Sequence, residues 1–309
     1  KNEKIGLITV HLYRPFSPKY LLNVLPDTVK NIAVLDRTKE AGSNGEPLYL
    51  DVVNALKESD IHIVGGRFGL SSKNTTPADI KSVYTMLNKE LKNNFTIGII
   101  DDLTSTSLPK ENYKISLDAK ELLIYGYGSD GCVSASKDIL KIMGHAGSFV
   151  NGYFSYDSKK SGGVTVSNLR ISNHPINAPF YVETPSLIVV TKDEYFKKFS
   201  MIKNIIPNGT IIVNTSKNEE EFNNLLSLED TQIINKRNIK VFTIDADRIA
   251  AASGIRGKIS KIIEMIVLDK LEIPSAKELI TESIKTSFKT KGQNIIDANI
   301  KAINEALSN

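Results

Sequence analysis

A glycine-rich stretch in the middle of the chain has the residue types and spacing of a phosphate-binding turn. It fits the pattern G-x-G-x-x-G and lies between a predicted strand and a predicted helix. Glycines let the backbone approach a phosphate closely, and the free amides at the start of a helix favour an anion. Taken alone, the stretch is consistent with a dinucleotide site or with a tight turn that binds nothing. Its candidate ligand-binding residues are Gly126, Gly128, Ser129, Asp130 and Gly131.

A basic stretch follows one predicted βαβ unit later. Lys159, Lys160 and Ser161 stand there just after Asp157 and just before two glycines. Asp157 could take the ribose hydroxyl of a dinucleotide. The two lysines suit a phosphate on the ribose better, since lysine acts as a point charge and backbone amides can form an anion nest. NADP and coenzyme A (CoA) both carry such a phosphate, and a solvent-exposed basic hairpin turn is the alternative.

The remaining polar residues do not form a recognisable catalytic or metal site. The sequence has a single cysteine, Cys132, whereas a cysteine-ligated iron–sulfur cluster needs four thiolates. The four histidines are scattered without zinc-site spacing. We expect Asp101 and Asp102 to form a turn or helix cap, and Cys132 to lie in the core. We therefore assign no catalytic residue and no metal ligand.

Composition narrows the class of protein and its compartment. The 309 residues are 41% hydrophobic and 24% charged, which is typical of globular domains, and the net charge of +4 is too small to indicate nucleic acid. No apolar run has the length of a membrane span, and no signal peptide opens the sequence. With one cysteine, these features favour a reducing cytoplasmic compartment, or an anaerobic organelle as the alternative.

The elements that would position these turns alternate between strands and helices, which predicts two consecutive α/β domains with mainly parallel sheets flanked by helices. A polar stretch without clear periodicity places the boundary between residues 1–117 and 118–309. Helices are predicted over Thr76–Leu91, from Cys132 onward, and in the tail. The predicted strands are Lys4–Val10, Asn31–Asp36, Asp60–Gly65, Phe95–Ile100, Glu121–Tyr125, Phe149–Tyr156, Gly163–Ile171, Ser186–Val190, Thr210–Val213 and Ile239–Asp245.

Long strings in both halves resemble the pyruvate:ferredoxin (flavodoxin) oxidoreductase family, which includes pyruvate:NADP oxidoreductases. In the second half, YGYGSDGCVSASK (125–137) and GYFSYDSKKSGGVTVSNLR (152–170) resemble the γ-type domain III. In the first half, VHLYRPFS (10–17), IAVLDRTKE (32–40) and GGRFGLSSK (65–73) resemble the transketolase C-terminal-like domain II. The resemblance covers nearly the whole chain, with departures from the commoner pattern at Cys132, Ser134 and Ser136.

The resemblance implies a part of an enzyme that oxidatively decarboxylates pyruvate to acetyl-CoA and CO2. The parent enzyme would serve anaerobic energy metabolism as a homodimer that passes electrons to ferredoxin, flavodoxin or a fused reductase. It would use thiamine diphosphate, Mg2+ and [4Fe-4S] clusters, but this sequence lacks both the thiamine-diphosphate motif and the cluster cysteines. We therefore expect an inactive segment that is held by the parent's other domains and has an N-terminally truncated domain II.

The γ-type domain of the family contributes to CoA binding, so the resemblance assigns CoA to the glycine turn and to Lys159, Lys160 and Ser161. Arg256, just before a predicted helix, is a further candidate for a phosphate contact, and a plain exposed arginine is the alternative. Two other functions stay open at this point. One is an NADP-binding reductase built on the glycine turn, and the other is a structural interaction module without a ligand.

Overall fold

The protein is described by a computed structural model that covers residues 4–100, 103–127, 130–157 and 163–308. It divides into two compact units, Lys1–Ser116 (unit 1) and Leu117–Asn309 (unit 2). The boundary predicted between residues 117 and 118 falls next to this division. Both units combine helices with sheets in which most neighbouring strands are parallel, so the predicted fold class is confirmed.

Unit 1 contains a three-stranded parallel sheet in the order β1-β2-β3. Proline in the first turn favours the start of each helix, since its missing N–H would be unpaired there. Asp36, at the end of β1, accepts hydrogen bonds from the amides of Leu48 and Tyr49 and so holds the start of α2. The elements are α1 (Pro18–Val24), β1 (Asn31–Asp36), α2 (Pro47–Ala55), β2 (His62–Arg67), α3 (Pro77–Leu87) and β3 (Phe95–Thr96).

Two strand predictions for unit 1 differ from the structure. Lys4–Val10 has no regular secondary structure, and its residues are mostly exposed. Its apolar alternation matches a strand, but no strand in the described residues of unit 1 pairs with it. The predicted strand Phe95–Ile100 is shortened to Phe95–Thr96, since Gly98 has a φ of 74° and interrupts the extended backbone. Asp101 and Asp102 lie outside the described residues.

Unit 2 contains a six-stranded sheet in the order β5-β6-β4-β7-β8-β9. Strands β4, β7, β8 and β9 are parallel, whereas β6 is antiparallel to both of its neighbours. The strands are β4 (Lys120–Tyr127), β5 (Phe149–Tyr156), β6 (Val164–Ser172), β7 (Leu187–Val190), β8 (Thr210–Asn214) and β9 (Lys240–Ile244). The helices are α4 (Cys132–His145), α5 (Glu219–Asn223), α6 (Leu228–Lys236), α7 (Ala246–Ala252), α8 (Ser260–Lys270), α9 (Ala276–Ser287) and α10 (Gln293–Ser308).

Separate hydrophobic cores cover the two faces of this sheet. On one face, Leu122 and Ile124 of β4 pack with residues of α4, α7, α8, α9 and α10. On the other face, Leu123 packs with strand residues of β7 and β8 and with Phe196 and Phe222. The helices predicted for the tail are confirmed, and α8 is buried along most of its length. In the described part of the chain, no helix is both long and apolar enough to cross a membrane.

A buried arginine fastens the long connection between β6 and β7 to the sheet. Arg170 has 0% exposure, and its Nε donates to Glu121 Oε1 at 2.7 Å. Its remaining donors reach the carbonyl oxygens of Ala178, Phe180 and Tyr181. Charge-assisted hydrogen bonds of this kind offset the cost of burying a guanidinium. Arg170 therefore fixes the path of the chain from β6 to β7.

Candidate phosphate-binding edge of unit 2

The carboxyl ends of the parallel strands of unit 2 lie along one edge of the sheet, which we call the carboxyl edge. β4 and β7 are neighbours there, with Tyr125 opposite Val190. After β4 the chain continues to β5 on one side of it, and after β7 it continues to β8 on the other side. Open α/β sheets bind ligands outside such a change of direction. The fold therefore favours a ligand at the ends of β4 and β7.

An inserted strand distinguishes this edge from a dinucleotide-binding unit. In the dinucleotide fold the second strand lies directly beside the first. Here β6 separates β4 from β5, which places the end of β5 about 10 Å from β4 instead of about 5 Å. The predicted βαβ unit is therefore a split one, and Asp157 at the end of β5 is one strand further away than a ribose-binding acid would be.

Two glycines of the predicted turn are required by its local geometry. A Cβ at Gly126 would lie 2.6 Å from Cys132 Cβ, so any side chain there would push α4 away from β4. Gly131 has a φ of 87° and directly precedes α4, in a conformation that L-residues rarely adopt. Gly128 and Ser129 lie outside the described residues. The glycine pattern thus allows a helix to start immediately beside the end of β4.

The carboxylate of Asp130 stabilises this turn by accepting hydrogen bonds. Its Oδ2 accepts hydrogen bonds from the amide of Tyr127 at 2.6 Å and from the hydroxyl of Thr191 at 2.7 Å. Its Oδ1 accepts from the amide of Cys132 at 2.9 Å. Asp130 was predicted as a ligand-binding residue, and these contacts indicate how it would contribute, by holding the turn in shape between β4 and β7.

The basic turn joins β5 to β6 as a hairpin. Lys159, Lys160 and Ser161 lie outside the described residues, so their predicted role stays a prediction. The flanking strands are described, and they pair Tyr156 with Thr165. Val164, at the start of β6, lies opposite Tyr127 at the end of β4. The glycine turn therefore begins beside the point where the basic hairpin ends, on adjacent strands at the same edge of the sheet.

Arg256 lies on the loop between α7 and α8. It is exposed, and the glycines on both sides of it, Gly254 and Gly257, have positive φ. The loop leads to Ser260, whose Cβ would be 3.4 Å from a Cβ placed on Gly131. α8 therefore starts beside the glycine turn, and the loop that carries Arg256 enters the carboxyl edge from the helical side. A phosphate contact by Arg256 stays a prediction.

Cys132 is a core residue, as predicted, although it opens α4. Its exposure is 2%, and both burial and the neighbouring Asp130 carboxylate raise the pKa of the thiol. Tyr195 contacts the turn from the other face of the sheet, where its hydroxyl donates a hydrogen bond to the Gly126 carbonyl oxygen at 3.3 Å. Burial raises the pKa of Tyr195 to about 12. Neither group is prepared to lose a proton near neutral pH.

The residues after β7 and β8 belong to this edge, although no motif in the sequence marks them as functional. Thr191 joins β7 to the turn through Asp130. Asp193 accepts hydrogen bonds from Thr215 and Lys217; burial alone would raise its pKa, but these two donors outweigh burial and lower it. Their position directly after predicted strands was the available signal, since polar residues at strand ends face the carboxyl edge.

The described residues do not bring together three His, Cys, Asp or Glu side chains that could hold a metal ion. The carboxylates described at the carboxyl edge, Asp130 and Asp193, are already bound by neighbouring amides, hydroxyls and Lys217. The start of α4 and the hydroxyls and lysines of this edge are groups that bind anions, and phosphates in particular. The chemistry that this edge supports is therefore the binding of a phosphorylated ligand.

Comparison with known proteins shows two matches to protein families. The family model described as pyruvate ferredoxin/flavodoxin oxidoreductase matches residues 121–309, which is more than half of the chain. The model described as pyruvate:ferredoxin oxidoreductase core domain II matches residues 1–80. The two matches follow the order of the resemblances found in the sequence.

Individual relatives agree with these families. The pyruvate:ferredoxin oxidoreductase of Moorella thermoacetica is 40% identical over 316 residues, which cover 99% of this chain and 27% of that protein. The chain therefore spans about a quarter of the length of the curated relatives it matches.

Two solved structures share the fold. The pyruvate oxidoreductase subunit PORC of Thermotoga maritima has a TM-score of 0.52 at 23% identity, covering 62% of this chain and 97% of that one. The 2-oxoglutarate:ferredoxin oxidoreductase of Magnetococcus marinus, solved with 2-oxoglutarate, coenzyme A and succinyl-CoA bound, has a TM-score of 0.50 at 14% identity. It covers 62% of this chain and 31% of that one. At these identities, the likeness concerns the fold alone.

Proposed function

The chain belongs to the pyruvate ferredoxin/flavodoxin oxidoreductase family, and from this we propose that it is the segment of such an enzyme that contributes the CoA-binding site. The observation that carries the proposal is the pairing of Tyr127 with Val164, because the glycine turn begins at Tyr127 and the basic hairpin ends at Val164 on the adjacent strand. CoA offers a diphosphate and a 3′-phosphate, which these two turns would receive. The Magnetococcus marinus enzyme of related fold was solved with CoA bound, which supports the choice of ligand.

The reaction of the parent enzyme would be the oxidative decarboxylation of pyruvate to acetyl-CoA and CO2. Thiamine diphosphate with Mg2+ would carry the acyl group, and [4Fe-4S] clusters would pass electrons to ferredoxin, flavodoxin or a fused reductase. This sequence does not fit those centres, since its single cysteine cannot supply four thiolates. The segment would bind and orient CoA beside centres that other domains hold, and it would not turn over pyruvate by itself.

In this proposal the lysines of the hairpin act on the 3′-phosphate. Calorimetric titration of the chain with CoA and with dephospho-CoA tests this role, because the two ligands differ in that phosphate alone. We expect CoA to bind about tenfold more tightly, the effect of one charge-assisted contact. The variant K159M/K160M should abolish this preference, whereas K197M/K198M, a matched pair of adjacent exposed lysines, should keep it. Equal affinity of the wild-type chain for both ligands would contradict the role of Lys159 and Lys160.

NADP is the second ligand with a phosphorylated ribose, and the sheet order disfavours it. The inserted strand β6 moves the end of β5 away from β4, whereas the dinucleotide fold keeps these two strands adjacent. Mixing the chain with NADPH should therefore leave the cofactor fluorescence unchanged up to millimolar concentration. An enhancement that saturates would favour the reductase instead.

An interaction role for unit 1 is supported by a separate observation. Large apolar side chains on its irregular segments are exposed, including Leu7 at 82%, Leu12 at 77% and Leu103 at 97%. Exposed apolar surface of this kind is typical of regions that other domains cover. We expect the isolated chain to self-associate, which sedimentation velocity would detect. A monodisperse monomer at high concentration would count against this role.

A further inference from the structure

The end of β7 adds a positive charge to the carboxyl edge that neither predicted turn contains. The Thr191 amide donates to the Tyr125 carbonyl oxygen at 3.0 Å, and the Thr191 hydroxyl donates to Asp130 Oδ2 at 2.7 Å. Both contacts fix the chain after β7 against the glycine turn. The next residue, Lys192, is therefore held beside that turn by backbone and side-chain contacts of its neighbour.

Lys192 differs from other lysines of this region in its partners. Lys217 donates to Asp193 Oδ2 at 2.7 Å, so its charge is compensated. Lys261 is bound by Asp138 and Glu264. Across the four described ranges, the side chain of Lys192 makes no hydrogen bond or ion pair, and the residue is only partly exposed. Its positive charge is near enough to the turn to oppose the rise in the pKa of the Cys132 thiol.

The position of Lys192 is distinct from that of the basic hairpin. In the strand order β5-β6-β4-β7, the hairpin lies on one side of the glycine turn and Lys192 lies on the other. The start of β6 and the end of β7 are two strand spacings apart, about 10 Å. Two separate anionic groups can therefore be bound at this edge, one on each side of the turn.

We propose that Lys192 binds the diphosphate of the ligand. This inference rests on the proposed function and deepens it. The amides at the start of α4 and the change of direction between β4 and β7 favour a diphosphate over the glycine turn. Lys192 supplies the cation there, since the carboxylate of Asp130 already accepts three hydrogen bonds within the turn.

Titration of three variants of the full 309-residue chain with CoA and dephospho-CoA tests this assignment. K192M should weaken the binding of both ligands by about tenfold and by the same factor, because both contain the diphosphate. K192R keeps the charge and should remain within about threefold of the wild type. K198M removes an exposed lysine nearby and should change either affinity by less than about twofold. Thermal melting of each variant confirms that it is folded.

The outcomes separate this inference from the proposed function. If K192M loses no more affinity than K198M, Lys192 does not contact the ligand. If K192M weakens CoA binding and leaves dephospho-CoA binding unchanged, Lys192 binds the 3′-phosphate and the assignment to the diphosphate is wrong. If the wild-type chain binds neither ligand at millimolar concentration, the CoA site itself is refuted, and the assignment of Lys192 with it.

Discussion

A buried charge cluster under the carboxyl edge predicts a specific pH dependence of stability. Lys261 of α8 donates to Asp138 of α4 at 2.9 Å, to Glu264 at 2.8 Å and to Ser283 of α9 at 3.3 Å. Glu264 has 0% exposure, and its Oε1 has no hydrogen-bond partner among the described residues. Burial raises the pKa of Glu264 to about 8, although Lys261 opposes the rise. The perturbation we consider is E264Q, which replaces the carboxyl by a group that does not titrate.

The direction of the pH dependence of stability follows from the raised pKa of Glu264. The stability that the protonated Glu264 contributes is fully present below pH 4.5, the ordinary pKa of glutamate, and is lost as the pH rises toward 8. Within this window the free energy of unfolding falls by at most about 1.4 kcal/mol per pH unit. Between pH 5.5 and pH 7.5 we expect the wild type to lose on the order of 1–3 kcal/mol relative to E264Q.

Urea denaturation of both proteins, followed by circular dichroism at several pH values, measures this difference. The two proteins can differ in their free energy of unfolding by a constant amount, because E264Q buries an amide. The test is how this difference changes with pH. E282Q removes an exposed glutamate from the neighbouring helix α9 and should leave the slope unchanged. If the free energy of unfolding of the wild type does not fall relative to that of E264Q between pH 5.5 and pH 7.5, a protonated Glu264 in the folded chain is refuted.

Three further predictions concern the turn and the connection that borders it. G126A should destabilise the chain by about 1–3 kcal/mol and weaken CoA binding, since its Cβ would meet Cys132 at 2.6 Å. G144A, in the last turn of α4, has its nearest contact at 3.7 Å and should gain up to about 0.5–1 kcal/mol; urea denaturation measures both. D130A should remove the hydrogen bonds to Tyr127, Cys132 and Thr191 and lower CoA affinity at least about tenfold by calorimetry, and unchanged affinity would show that the turn does not need its carboxylate. R170M should cost about 3–5 kcal/mol in the same denaturation assay, because it removes the donor of three carbonyl oxygens and of Glu121 Oε1, and a loss below about 1 kcal/mol would contradict the fastening role of Arg170.

The sequence predicted the local secondary structure well and the pairing of strands less well. Asn31–Asp36 and Phe149–Tyr156 form strands with the predicted bounds, because apolar β-branched and aromatic runs have a strong local preference. Lys4–Val10 has a similar pattern and is not a strand, since strand formation also requires a partner. The insertion of β6 between β4 and β5 could not be predicted, because strand order depends on contacts between distant residues.

In the candidate site, too, local sequence patterns predicted some residues, and contacts between residues distant in the sequence determined others. The glycines were found because a left-handed Gly131 and a close approach at Gly126 leave a local pattern in the sequence. Thr191 and Lys192 were missed, because Thr191 is 61 positions from Asp130 in the sequence and only the pairing of β4 with β7 brings them beside the turn. Arg170 was missed for a related reason, since its partners are mostly carbonyl oxygens that carry no sequence signal.

Hydrogen–deuterium exchange of the chain with and without saturating CoA tests the central claim most directly, because it locates the ligand on the backbone. Binding at the carboxyl edge should slow exchange in peptides that span residues 126–135, 156–165 and 190–193, and should leave unit 1 unchanged. Exchange that is unaltered in all three segments, or slowed in unit 1 instead, would contradict a CoA site at this edge.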